Sequence, residues 1–181
     1  MSVTSLPLVA VYRPDAELTA EEDLRLRTLL CRCFPYRPTF RRRRHLHAVP
    51  PQHRWFIVAE DGSIVAHTAV YDKQILINGR EERIGGVAEV CVAHACRGRG
   101  YLKTLLSAAH TFLQREGIPF ALLFGRPEIY LSSGYRPIEN PLRCTDPFFR
   151  WWNPFKGTPM VRCLCDRPWP EGLIDLRGST F

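Results

Sequence analysis

The chain has 181 residues, a formal net charge of +7 and 45% hydrophobic residues. That length suits one domain, 1–181, with a full core; the composition excludes extended disorder, and no run approaches the roughly 18 apolar residues of a membrane span. Residues 1–11 carry neither a basic start nor a long apolar run, so no secretory signal is expected and a cytoplasmic location follows.

Leu8–Tyr12 is a short apolar run and an expected edge strand. Thr19 with Glu22 fits a capping box, and Leu26, Leu29, Leu30 and Cys33 recur at helical spacing, which predicts a helix over 19–33. Pro35 and Pro38 end it. Residues 36–52 read as irregular chain or a second short helix, rich in arginine and histidine. Strands are expected over 55–60, 63–77 and 82–92. Asp61-Gly62 and Asn78-Gly79 supply the hairpin turns of an antiparallel meander.

After Val92 the chain reads Ala-His-Ala-Cys-Arg97-Gly98-Arg99-Gly100 and enters a helix, whose first turn is expected at 97–100. Leu102, Leu105, Leu106, Ala109, Phe112 and Leu113 form its core stripe. Backbone N–H groups at a helix start, with glycines that let a ligand approach, make an anion cradle. Arg97 and Arg99 add bidentate donors suited to phosphate. Glu116-Gly117 stops the helix. Residues 119–124 are a buried strand, parallel to the strand before the cradle because a helix crosses between them. A short helix over 127–132 follows, and Gly134-Tyr135 opens another strand. Residues 139–158 are rich in proline and aromatic residues and form a loop suited to a lid. Residues 160–165 form a closing strand, and Leu173-Ile174-Asp175-Leu176 an apolar-acidic run in the tail.

Much of the positive charge sits in Arg41-Arg42-Arg43-Arg44. A solvated surface is the plain explanation. Attraction of a polyanionic cofactor is the sharper one, and with no nucleic-acid motif present no nucleic-acid partner is expected. The seven cysteines are scattered, with no disulfide framework or zinc spacing, and read as reduced core thiols; Cys163 and Cys165 would share one strand face. His45, His47 and His53 have no carboxylate nearby in sequence, so no metal is expected.

The element order, the run Glu89-Val90-Cys91-Val92-Ala-His-Ala-Cys-Arg97-Gly98-Arg99-Gly100 and the pair Tyr130…Gly134-Tyr135 together resemble the GNAT N-acetyltransferase superfamily. Leu102 stands where the family pattern wants a small residue. The resemblance implies an α+β fold: a mixed, mostly antiparallel sheet flanked by helices, with a parallel strand pair splayed at an acyl-CoA site. Residues 55–135 look most like the aminoglycoside 2'-N-acetyltransferases, through Ile64–Val70 and the Ile75–Arg80 hairpin. The tail Trp169–Asp175 is reminiscent of the nodulation N-acyltransferases.

The resemblance implies acetyl-CoA as cofactor. Backbone groups of Val90, Cys91 and Val92 would take the pantetheine arm, and amides of Arg97, Gly98, Arg99, Gly100, Tyr101 and Leu102 the pyrophosphate. Glu89, an acid inside an apolar strand, is the candidate base for the acceptor amine, directly or through water. In the 2'-N-acetyltransferases the corresponding glutamate falls one residue earlier, at Ala88, and a one-residue shift on a strand changes face. Tyr130 is the candidate acid for the departing thiolate. Tyr36 and Trp151 are expected as apolar walls and Asp175 as a carboxylate for the acceptor. The partner is then a small-molecule amine, an aminoglycoside or amino sugar being the first to test, and the protein a monomer or homodimer. The alternatives are a longer-chain N-acyltransferase of the nodulation type or a non-catalytic acyl-CoA-binding module.

Overall fold

The computed structural model describes residues 9–144 and 157–181. In chain order they form β1 (Val11–Pro14), α1 (Ala20–Cys33), β2 (His53–Val58), β3 (Ile64–Ile77), β4 (Arg80–Val92), α2 (Tyr101–Arg115), β5 (Phe120–Gly125), α3 (Pro127–Tyr130), β6 (Arg136–Pro137), β7 (Leu142–Arg143), β8 (Thr158–Cys163) and β9 (Ile174–Asp175). The strands join in one sheet of order β1-β2-β3-β4-β5-β8-β6, with β9 paired to both β3 and β7. β1 to β4 form an antiparallel meander, and α2 carries the chain across to β5, which runs parallel to β4.

Local chemistry explains the main boundaries. Thr19 accepts from the Glu22 amide while the Glu22 carboxylate accepts from the Thr19 amide, so the capping box starts α1 as expected. β1 runs over Val11–Pro14 rather than 8–12, because its register places Val11 opposite Phe56 and Pro14 opposite His53. An edge strand tolerates that proline. The arginine-rich stretch after α1 forms one 3-10 turn at Pro38–Arg41 and is otherwise irregular.

Consecutive strand residues point to opposite faces of the sheet. A Cβ on Gly85 would meet Leu113 of α2 at 2.5 Å, whereas one on Gly86 would meet Phe181 at 2.7 Å. α2 therefore covers the first face, burying Leu105, Leu106, Ala109 and Leu113 against Trp55, Val70, Val87 and Ala121. Each of those leucines contributes about 1.5–3 kcal/mol by leaving water. The second face is shared. α1 packs Leu26, Leu29 and Leu30 on Phe56, Ile64 and Cys91, while the tail places Trp169, Ile174, Leu176 and Phe181 over Ile75, Ile84, Phe120 and Leu122.

The cysteines do not form a set of core thiols: only Cys91 is buried. Cys163 and Cys165 lie at and beyond the end of β8 and are exposed, while Leu164 between them takes the buried place. The expected loop over 139–158 contains the short β7 and otherwise falls largely outside the described residues.

Candidate active site

β4 and β5 pair only where Ile84, Gly85 and Gly86 meet Phe120, Ala121 and Leu122. β4 then runs on to Val92 and β5 to Gly125 with no further pairing between them, so the sheet opens into a slot. On its other side β4 stays paired to β3, but Glu89 and Val90 together oppose the single residue Thr68, which is a β-bulge. Glu89 takes φ +52°, a left-handed conformation that costs a non-glycine residue about 1–2 kcal/mol. His67 holds it there. Its Nδ1 lies 3.0 Å from the Glu89 carbonyl oxygen and its Nε2 3.1 Å from Arg54 Nη1. Since a guanidinium only donates, Nε2 accepts and Nδ1 carries the proton. Burial and the adjacent Arg54 keep this imidazole neutral, far below its usual pKa.

The bulged side chain enters a buried charge network. Arg54 is fully buried and the Glu89 side chain is 5% exposed. Arg54 donates to Glu89 Oε2 at 2.9 Å, to the Arg44 carbonyl at 3.0 Å and to Asp15. Arg44 closes the other side of Asp15 with contacts of 2.9 and 2.7 Å and reaches Asp23 at 3.1 Å. The Leu46 amide donates to Glu89 Oε1 at 3.0 Å. Burial raises the Glu89 pKa, and Arg54 only partly offsets that, so the carboxyl sits above its ordinary value. Burial also pushes on Asp15, but there the hydrogen bonds from Arg44 and Arg54 win and hold it below the usual range.

Beyond Val92 the chain makes a 3-10 turn, His94–Cys96, and α2 begins at Tyr101. The expected first turn at 97–100 is therefore not helical: Gly98 and Gly100 have φ +74° and +80°, incompatible with a right-handed turn. Gly100 caps the helix without any side-chain bond, and a Cβ on either glycine would meet nothing within 4 Å. The start of α2 is thus an open set of N–H donors, and Arg97 and Arg99 stand exposed before it. Arg97 reaches back to the Val92 carbonyl at 3.4 Å, as does the Cys33 thiol at 3.7 Å. A hydrogen bond with Cys91 outweighs burial and, together with Arg97, holds Cys33 down to about 7.

Tyr130 lies across the slot, packed against Gly125 and 6.0 Å from the Tyr135 ring; burial pushes its pKa up to about 12. The structure thus brings Glu89, Val90–Val92, the cradle and Tyr130 to the one slot. Tyr36 is 93% exposed at the turn after α1. Asp175 pairs with Leu76 on β3, at the hairpin end remote from the bulge, and forms a surface ion pair with Arg143 at 3.7 Å. Trp151 lies outside the described residues. Arg54, Asp15 and His67 are the residues that sequence reasoning missed. Arg54 immediately precedes the apolar run 55–58, so it lacks the flanking apolar residues on both sides that pick out Glu89.

A parallel strand pair thus opens onto an uncapped, glycine-flanked helix start, with a buried carboxylate on the bulge of β4. A family model for the acetyltransferase (GNAT) domain matches residues 16–138, and the chain belongs to that family. YhbS, a GNAT family N-acetyltransferase from Escherichia coli solved with CoA, superposes with a TM-score of 0.66 at 16% identity, covering 96% of this chain and 92% of its own. A GNAT family acetyltransferase from Brucella melitensis in complex with acetyl-CoA gives 0.60 at 16% identity, over 92% and 94%. An acyl-CoA N-acyltransferase from Pseudomonas aeruginosa gives 0.60 at 18% identity, over 86% and 99%. These likenesses are of fold. No curated protein matches the sequence. Among the described residues no helix is long and apolar enough to cross a membrane.

Proposed function

We propose that this protein moves an acetyl group from acetyl-CoA to the primary amine of a small molecule in the cytoplasm, as a single-domain enzyme. The observation that carries the reading is the slot between β4 and β5, which opens onto the uncapped start of α2. The residues present suit the cofactor. The side of β4 that β5 leaves open at Val90, Cys91 and Val92 offers an edge for an extended amide-bearing arm. Glycines at 98 and 100 leave room for a pyrophosphate on the amides that follow, and Arg97 and Arg99 supply charge. Acetyl-CoA supplies an activated acyl carbon when bound.

The chain's own residues then have separate jobs. The Glu89 carboxylate, above its ordinary pKa, accepts a proton from the incoming ammonium directly or through one water. Arg54 and Leu46 fix its two oxygens without using all their lone pairs. A backbone N–H of the bulge side of β4 polarises the acyl oxygen. The Tyr130 hydroxyl, kept protonated by burial, donates to the departing sulfur. An amino sugar is the first acceptor class to test.

A thiol-release assay with acetyl-CoA and longer acyl-CoA donors against an amine panel tests the reading. Turnover with acetyl-CoA supports it. A marked preference for long chains replaces acetyl transfer by longer acyl transfer, and coenzyme A binding without turnover on any acceptor rejects the enzyme.

A further inference from the structure

On the second face of the sheet, next to Glu89, Tyr71 is 7% exposed and its hydroxyl has no hydrogen-bond partner among the described residues. A buried hydroxyl left unpaired costs about 1–3 kcal/mol, so it calls for an explanation. Tyr71 sits opposite Gly86 in the β3–β4 ladder, and the absent side chain there makes room for the Phe181 ring, 6.3 Å from that of Tyr71. His47 meets Tyr71 edge-on at 6.4 Å. His47 follows Leu46, whose amide caps Glu89, so the aromatic walls and the carboxylate belong to one place. Burial, and after it the Glu89 charge, hold the Tyr71 phenol protonated and able to donate.

The rim has the opposite sign from the base. Arg43 donates to the Leu46 carbonyl at 3.3 Å and forms no ion pair with a described residue. Arg41 and Arg42 beside it are exposed and form no ion pair with a described residue, and residues 31–52 contain neither aspartate nor glutamate. Lys73, two residues along β3 from Tyr71 and so on the same face, lies over the Phe181 ring. A polycationic acceptor would meet one carboxylate and several uncompensated arginines.

We propose that this is the acceptor subsite and that it takes a hydroxylated amine carrying an anionic group: the amine goes to Glu89, a hydroxyl to Tyr71 and the anion to Arg43. The inference rests on the amine-acylation reading and deepens it. It turns the expected acceptor away from aminoglycosides. A carboxylate and a phosphate would serve Arg43 alike, and a guanidinium pairs with either through two N–H groups.

The test uses the full chain, acetyl-CoA and four acceptors: glucosamine, glucosamine 6-phosphate, muramic acid and kanamycin. Thiol release gives kcat/KM, and calorimetry on the protein saturated with coenzyme A gives acceptor affinity. Anionic sugars should exceed glucosamine and kanamycin by about tenfold or more, the size expected for one charge-assisted contact. Whichever of the phosphate and carboxylate arms leads identifies the anion. Arg43→Gln, an exposed change, should cost the anionic sugars about tenfold more than it costs glucosamine. Tyr71→Phe should raise KM more than it lowers kcat and melt no earlier than wild type, since it removes an unpaired group. Equal use of neutral and anionic sugars, a preference for kanamycin, or no differential effect of Arg43→Gln overturns the proposal. If no acceptor turns over, the amine-acylation reading falls, and calorimetry alone decides the subsite: tighter binding of anionic sugars by wild type but not by Arg43→Gln retains it, and equal binding overturns it.

Discussion

Arg54 and Glu89 form an ion pair 2.9 Å long in which the guanidinium is fully buried and the carboxylate nearly so. Arg54 also serves Asp15, so one cation sits between two buried carboxylates. Removing it leaves both without their shared partner. Arg54→Met should therefore lower stability by about 3–5 kcal/mol at pH 7, read by denaturant unfolding. A loss within about 0.5 kcal/mol, the range of surface substitutions, would mean the network does not hold the meander to the loop before it.

Glu89 must be ionised to accept a proton, and its pKa is raised. Activity should therefore fall with decreasing pH along a limb lying above the ordinary carboxylate range, not at it. Glu89→Gln should remove that limb and lower kcat by about 100-fold or more, the usual size of general-base catalysis, with coenzyme A affinity retained. An unchanged pH profile in the variant would assign the base elsewhere.

Gly100→Ala isolates the cradle. The added methyl meets nothing, so the effect comes from φ +80° alone. A left-handed alanine costs about 1–2 kcal/mol, which the protein meets either as lost stability or by turning the first amides of α2 out of line. Melting temperature or coenzyme A affinity should fall, whereas wild-type values for both would show that the loop relaxes without consequence.

Cys33 offers a test of the slot that needs no acceptor. Held down to about 7, it should be alkylated by iodoacetamide at a rate that rises through neutral pH. Because its thiol touches the Val92 carbonyl, coenzyme A should slow the reaction. Labelling of Cys33 that ignores the ligand would place the pantetheine arm away from the end of β4.

Much of this was legible before the structure. The capping box, the hairpin turns and the leucine stripe of α2 are local or periodic signals, and each marks its element. Glu89 stands out because an acid interrupts an apolar strand. The bulge beneath it was not legible, since it depends on which β3 residue faces which β4 residue. Arg54 stands at the edge of an apolar run rather than within one, its carboxylate partners are 39 and 35 residues away in sequence, and no spacing rule joins them. Tyr36 and Asp175 were chosen for chemistry alone. Their positions follow from an irregular turn and from a two-residue strand at the far end of the hairpin, neither of which leaves a periodic trace.

The three residue pairs that join β4 to β5 are also a mechanical joint. Among the described residues they are the direct backbone pairing between the meander and the β5-β8-β6 plate, the other route running from β3 through β9 to β7, and β5 is pinned to β8 along its whole length. Leu113 presses on the joint from one side at Gly85 and Phe181 from the other at Gly86. The opening angle of the slot is thus set by two small residues four and three positions before Glu89 on β4, so bulk introduced at either would act as a wedge on the open end.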